Sequence, residues 1–418
     1  MHHIIKYSAM SAACALLLAA CGSANDDPAP APVPAPAPPV VVTPPVVAPE
    51  PVVTKLELLS SSARLMDSVA FYGGDAYVSL ANSASEGSGV LRAALPLTPG
   101  STWSPVGMGA CGMAPHGDFI VRSPRIKMVG ENMWLMQPWY GAPGTENDPS
   151  TCTLMASSAS FIPRDQDLKV CNEYYCETLS MQDIKLHHNR LYSNAGGGSN
   201  LLTSKDGGAT WQVVRGSKES MMCYSAKFHF IGERLFVGGE CPLDMAFVES
   251  YQMNADGSAL ASQDKLPMTL PDMENRNVQF IDSVPGTQQV FIGVEGGLMR
   301  SEDNGRSFKF VIHESLTDAK GYPYIGAFLA LKEQPKTLVI GGFDKMHGRP
   351  YLSWSKDGGS TWTDISAMVP GYANKADDEY SAGSVSAIMQ DPQGRIIVVV
   401  NERADGQGRL MQLTLGDK

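Results

Sequence analysis

The stretch SKDGGATW, residues 204–211, returns as SKDGGSTW at residues 355–362 and, more loosely, as SEDNGRSF at residues 301–308. Aspartate beside glycine suits a tight turn, because glycine accepts positive φ and the carboxylate can bond the N–H groups of its own turn. The Ser and Thr hydroxyls add local bonds, and the closing Trp211, Phe308 or Trp362 is large enough to wedge between neighbouring sheets. A calcium-binding EF-hand does not fit, since its twelfth-position Glu and its alternating oxygen ligands are missing.

A degenerate copy, GSTW, ends at Trp103. From Trp103 to Trp211, to Phe308 and to Trp362 the steps are two, two and one periods of about fifty residues, the length of a four-stranded propeller blade. Hairpin-like segments keep the same rhythm: DSVAFYGGDAYVSL, RIKMVGENMWLM, QDIKLHHNRLYSN, AKFHFIGERLFVGG, VQFIDSVPGTQQVFIGV, FLALKEQPKTLVIGG and SAIMQDPQGRIIVVV. Each reads as two strands around a turn rich in Gly, Asn, Pro or Asp, the inner pair of one blade. The expected fold is all-β, a seven-bladed β-propeller, with six or eight blades as alternatives. Only GRLMQLTL follows the last hairpin, so VVTKLELLS at residues 52–60 is expected to supply the outermost strand and close the ring.

The pattern Ser-x-Asp-x-Gly-x-Thr-Trp resembles the Asp-box, or bacterial neuraminidase repeat, of sialidase-like β-propellers. The resemblance implies that Asp206, Asp303 and Asp357 are structural, each joining two outer blade strands on the face opposite the ligand site. The ligand face is then built from the loops after the second strands and between blades. Sialidase-type enzymes clamp a substrate carboxylate with three arginines and attack with a tyrosine. VRSPRI at residues 121–126 has the residue types of the first arginine motif in the wrong order, so that role is not carried over. Arg276, Arg349 and Arg403 fall in presumed ligand-face loops of three successive blades, near Tyr322, Tyr380 and Asp344. With Trp139 and Tyr140 on the long loop QPWYGAPGTENDPST, these are the ligand-binding candidates. No residue is assigned a catalytic role.

The first residues belong to export. A short polar start leads into the apolar run Ala12–Ala20, too short to span a membrane, and LAAC resembles the bacterial lipobox. Residues 1–20 are expected to be a lipoprotein signal, with Cys21 acylated at the outer membrane. Residues 21–51, dense in proline, form an extended stalk of on the order of 70–80 Å, and residues 52–418 form the propeller. Six cysteines remain, and exported chains pair them. Cys223 and Cys241 flank one hairpin symmetrically, Cys171 and Cys176 are near neighbours, and Cys111 and Cys152 are left over.

A net charge of −11 without basic clusters argues against nucleic acid or anionic lipid as partner. No cofactor or metal is expected: the cysteines lack CxxC spacing, and Met108, Met113 and His116 read as packing in a methionine-rich chain. The expected function is that of a monomeric, lipid-anchored envelope protein. It binds a glycan or an envelope or host-surface protein through the face opposite the Asp-boxes. A sialidase-like exo-hydrolase and an assembly factor for a membrane complex are the alternatives.

Overall fold

The computed structural model describes residues 54–81, 86–111, 124–136, 151–154, 160–163, 169–171, 176–178, 181, 183–195, 200–216, 224–241, 245–274, 276–316, 321–373, 383–402 and 406–416. One compact unit spans Pro51–Lys418. After β1 (Lys55–Ser62), the first sheet comprises β2 (Met66–Tyr72), β3 (Asp75–Leu80), β4 (Gly89–Ala94) and β5 (Ser104–Pro105). The second holds β6 (Arg125–Val129), β7 (Asn132–Met136), β8 (Thr151–Leu154) and β9 (Phe161–Pro163), and is followed by a separate hairpin, β10 (Lys169–Cys171) and β11 (Cys176–Thr178). The third holds β12 (Ile184–His187), β13 (Arg190–Ala195), β14 (Asn200–Ser204) and β15 (Gln212–Arg215). The fourth has only β16 (Tyr224–Ile231), β17 (Arg234–Cys241) and β18 (Met245–Gln252). The fifth is β19 (Val278–Ser283), β20 (Val290–Val294), β21 (Gly297–Ser301) and β22 (Lys309–His313). The sixth is β23 (Pro323–Ala330), β24 (Leu338–Asp344), β25 (Arg349–Ser355) and β26 (Thr363–Asp364). The last is β27 (Gly383–Gln390), β28 (Ile396–Glu402) and β29 (Gln407–Thr414), with β1 hydrogen-bonded along β29.

Every hairpin read from the sequence is the first and second strand of one of these sheets. Each sheet is an antiparallel meander, and β2 meets β6 and β27 while β19 meets β16 and β23. Such contacts run from sheet to sheet and return to the first, which is the architecture of a β-propeller. The fourth sheet departs from the expected four strands. In place of a fourth strand, the proline-containing segment 260–271 runs irregularly past β18, with Leu266 N–H donating to the Ser250 carbonyl at 2.6 Å.

The repeated octapeptides join the third and fourth strands of the third, fifth and sixth sheets, and their bonding is the same each time. Ser204 Oγ donates to Asp206 Oδ1 at 2.7 Å and accepts the Gly208 N–H at 2.9 Å, while the Thr210 N–H meets Asp206 Oδ1 at 2.9 Å. Ser301, Asp303, Gly305 and Ser307 repeat the pattern, as do Ser355, Asp357, Gly359 and Thr361. Each carboxylate is bonded within its own turn. Gly208, Gly305 and Gly359 have φ of +88°, +74° and +81°, and each lies under an aromatic ring of the preceding sheet. A Cβ there would meet Trp134 at 2.7 Å, Phe236 at 2.3 Å and Phe291 at 2.9 Å respectively. The glycine is therefore required twice, by backbone and by neighbour.

Hydrogen bonds from Thr210 and Ser204 hold the Asp206 carboxyl at about 2, and for Asp303 and Asp357 similar bonds outweigh burial and also push the pKa down. A carboxylate held below its unfolded value of about 3.9 contributes stability that is complete above that pH and lost as pH falls through the folded value. The melting temperature should therefore drop between about pH 4 and pH 2. The triple change of Asp206, Asp303 and Asp357 to Asn should start lower and respond less to acid, as differential scanning fluorimetry would read.

Candidate functional site

An antiparallel meander fixes which loops share a face. The octapeptide turns join third to fourth strands, so they lie beside the turns between first and second strands: the Asn304 N–H bonds the Gln288 carbonyl at 3.0 Å and the Gly358 N–H that of Lys336 at 2.9 Å. The opposite face carries the loops between second and third strands and those between sheets, as the resemblance implied. Cys111, Cys152, Cys171, Cys176 and Cys241 lie on or beside those loops. Cys111 is fully buried and disulfide-bonded, and Cys171 and Cys176 are register partners in the β10–β11 hairpin. Tyr224 and Glu240 are partners in the β16–β17 pair, while Cys223 lies outside the described residues.

Four of the eight ligand candidates fall in one network on this face; Trp139, Tyr140, Tyr380 and Arg403 lie outside the described residues. Arg276 is buried, donating to the carbonyls of Glu295 at 3.1 Å and Glu314 at 2.9 Å and to Glu274 Oε2 at 2.9 Å. Its guanidinium lies 5.5 Å from the Tyr322 ring centre. Asp344, also buried, accepts the Tyr322 N–H at 2.8 Å, the Met346 N–H at 3.1 Å and Arg349 Nε at 3.2 Å, and lies 2.6 Å from His347 Nδ1. Arg349 in turn stacks on Tyr372 at 4.4 Å. Asp344 and Arg349 line a cavity of about 240 Å³ together with Glu314, Tyr351 and Asp364.

This arrangement binds loops more than it offers chemistry. Arg276 has spent its NH1 and NH2 donors on its own protein, so it is a brace and does not clamp a ligand carboxylate. Burial pushes the Tyr351 phenol well above its ordinary range and raises that of Tyr322, the reverse of what a tyrosine nucleophile needs. Of the candidates in the described residues, Arg349 is the one with a guanidinium edge left facing the cavity.

A second site was missed in the sequence. The first strands of the sheets surround an axial channel of about 440 Å³, lined near their starts by Asp67, Arg125, Lys127, Asp183, Lys185 and Lys227. Because the octapeptide turns lie at the other ends of these strands, the charged mouth opens on the face opposite them. Arg125 pairs with Asp67 at 2.9 Å and Lys127 with Asp183 at 2.6 Å. Lys185 lies 3.9 Å from Asp183 and 3.2 Å from His229 Nδ1, with Asp282 beyond at 3.7 Å from the same nitrogen. Lys227 has no carboxylate within ion-pair distance among the described residues. Burial, then the neighbouring Arg125, pull its ammonium down to about 8. Burial and Lys185 hold His229 down to about 3, so it is neutral at physiological pH. A chain of net charge −11 thus gathers a surplus cation at its axis. The signal was there: Arg125 and Lys127 straddle the buried Ile126, and Lys227 and His229 straddle Phe228.

No family model and no curated protein matches this chain. Among solved structures it is similar to YCF48 from Cyanidioschyzon merolae, at 12% identity and TM-score 0.52 over 86% of this chain and 98% of that one. It is similar to the GH74 xyloglucanase of Xanthomonas campestris at 14% identity and TM-score 0.50, covering 84% of this chain but 52% of the enzyme. A chain of the mitotic checkpoint complex is similar at 11% identity and TM-score 0.50, over 92% and 99%. Likeness at this identity is likeness of fold, and it places the chain among β-propellers.

Proposed function

We propose that this protein is an exported, lipid-anchored propeller that captures a protein partner through the face opposite its octapeptide turns, with an acidic group of the partner entering the axial channel at Lys227. The half-buried Lys227, without an ion-pair partner among the described residues, carries the reading: a cation drawn partly out of water with no carboxylate in contact costs free energy that an incoming carboxylate returns. The expected acylation of Cys21 and the proline stalk at residues 21–51 support it, since reach serves a protein that must touch a target away from its membrane. Like the similar chain of the mitotic checkpoint complex, it would work within a protein assembly.

The test is capture from solubilised envelope followed by mass spectrometry. Wild type should retain a partner that Lys227→Glu loses, while Lys205→Glu, on the opposite face, retains it. Capture should weaken between pH 7 and pH 9 as Lys227 loses its proton, and Lys227→Arg should restore it at pH 9. Loss with Lys205→Glu but not Lys227→Glu would place binding on the other face. Turnover of a fluorogenic sialoside, abolished by Arg349→Ala, would replace the binding reading with a hydrolase.

A further inference from the structure

On the turn side of the ring, away from the channel mouth, the first turns of the third and fourth sheets bring together three metal-ligating side chains: His187, His188 and Glu233. One ligand atom from each lies within 4.8 Å of the others. His188 Nε2 is 3.0 Å from Glu233 Oε1, a separation that two ligands of one tetrahedral ion can share. The remaining groups are what a simple ion pair leaves unexplained. His187 Nε2 and Glu233 Oε2 are both buried, and neither has a hydrogen-bond partner. Buried polar atoms are nearly always satisfied, so two orphans in one cluster point to a missing bond shared between them.

The surroundings are those of a built ligand. His187 ends the first strand of the third sheet, at the turn that faces the first turn of the fourth. Its ring is stacked on Phe230 at 4.3 Å with an interplanar angle of 10°. His188 is held at φ +47° in the turn, its ring 4.1 Å from that of His187.

We propose that His187, His188 and Glu233 bind a divalent first-row transition ion of the Zn²⁺ class, tying the third sheet to the fourth. Two imidazoles and one carboxylate suit such an ion and not Mg²⁺ or Ca²⁺, which prefer all-oxygen shells. The sequence expectation of no metal weighed the octapeptides, the cysteines and the residues near them, and not His187 or His188. The histidine pair met its carboxylate partner through folding, across two hairpin turns.

The full chain, stripped with chelator, should bind one Zn²⁺ beyond any taken by its N-terminal histidines. Isothermal titration should show His187→Ala and Glu233→Gln weakening that site by about tenfold or more, with circular dichroism confirming that both variants remain folded. Co²⁺ should give the visible absorption of a tetrahedral site in wild type, lost in His187→Ala. Should His187→Ala prevent folding, Glu233→Gln and the Co²⁺ spectrum of wild type decide alone. Unchanged Zn²⁺ affinity in the variants, a Co²⁺ spectrum of octahedral type, or a preference for Mg²⁺ would overturn the assignment.

Discussion

Replacing Phe236 by alanine is expected to destabilise the propeller by about 3–5 kcal/mol, the usual cost of removing a fully buried phenylalanine. Phe236 is buried completely in the second strand of the fourth sheet, and its ring covers Gly305 in the octapeptide turn of the fifth. It stands edge-on to Phe308, the closing aromatic of that turn, with ring centres 6.5 Å apart. Truncation therefore empties a space shared by two sheets, which neither can fill without giving up its register. Phe291 holds the same position over Gly359 one sheet later, where Arg300 NH1 also donates to the Gly358 carbonyl at 3.0 Å. A double-mutant cycle separates packing from backbone strain. Gly305→Ala alone should be costly because its methyl meets Phe236 and its φ is positive. In the Phe236→Ala background the steric part disappears, leaving the φ penalty of about 1–2 kcal/mol. Urea denaturation should show this as coupling well above the 0.3–0.5 kcal/mol scatter of independent sites. Additive effects would mean that the ring and the glycine do not bear on each other.

That pairing also marks where the sequence stops being readable. The turn is local: Ser204, Asp206 and Gly208 are close neighbours in the chain, so their bonding can be foreseen from residue type and spacing. Trp134, the ring that covers Gly208, comes from another sheet, and nothing in either segment names the other. The same division holds for the hairpins and the sites. The polar–apolar alternation of RIKMV and AKFHF announces strands. That their lysines converge on one axis depends on how separate sheets are arranged around it. Arg276 shows the same limit from the other side. Its place on the face opposite the octapeptide turns was legible from loop position, but the carbonyls of Glu295 and Glu314 that engage Arg276 come from chain folded over it.

Deleting residues 54–62 is expected to abolish cooperative folding of the ring, although those residues contribute one strand and no candidate site. β1 pairs with β29 from Lys55↔Thr414 to Ser62↔Gly408, with a bulge at Leu59 that turns its side chain into the core shared with Val399 and Leu410. The last sheet otherwise ends on β29 as an open edge. That edge is long and already half apolar, the kind that recruits another chain. The ends are also tied beyond the strand itself: the Gly416 N–H bonds Thr54 Oγ1 at 2.9 Å. Asn401, on β28, accepts the Met66 N–H at 2.9 Å and donates to the Met66 carbonyl at 2.6 Å, clasping the first sheet to the last. Losing β1 should therefore leave the seam to Asn401, to Ser386 Oγ on the Met66 carbonyl, to Arg395 on the Leu97 carbonyl and to an apolar core opened at Leu59, with monomer giving way to aggregate on size exclusion and a reduced urea m-value. A synthetic peptide of residues 53–63 added in trans should restore the monomer, because the vacated edge is the same in register and length. Asn401→Leu in the intact chain should be milder, costing on the order of 1–3 kcal/mol for the buried Met66 N–H left unpaired, since Ser386 Oγ still donates to the Met66 carbonyl. A truncated chain that stays monomeric with an unchanged m-value would show that the ring holds without its terminal strand, and that the closure inferred from GRLMQLTL and VVTKLELLS is decorative.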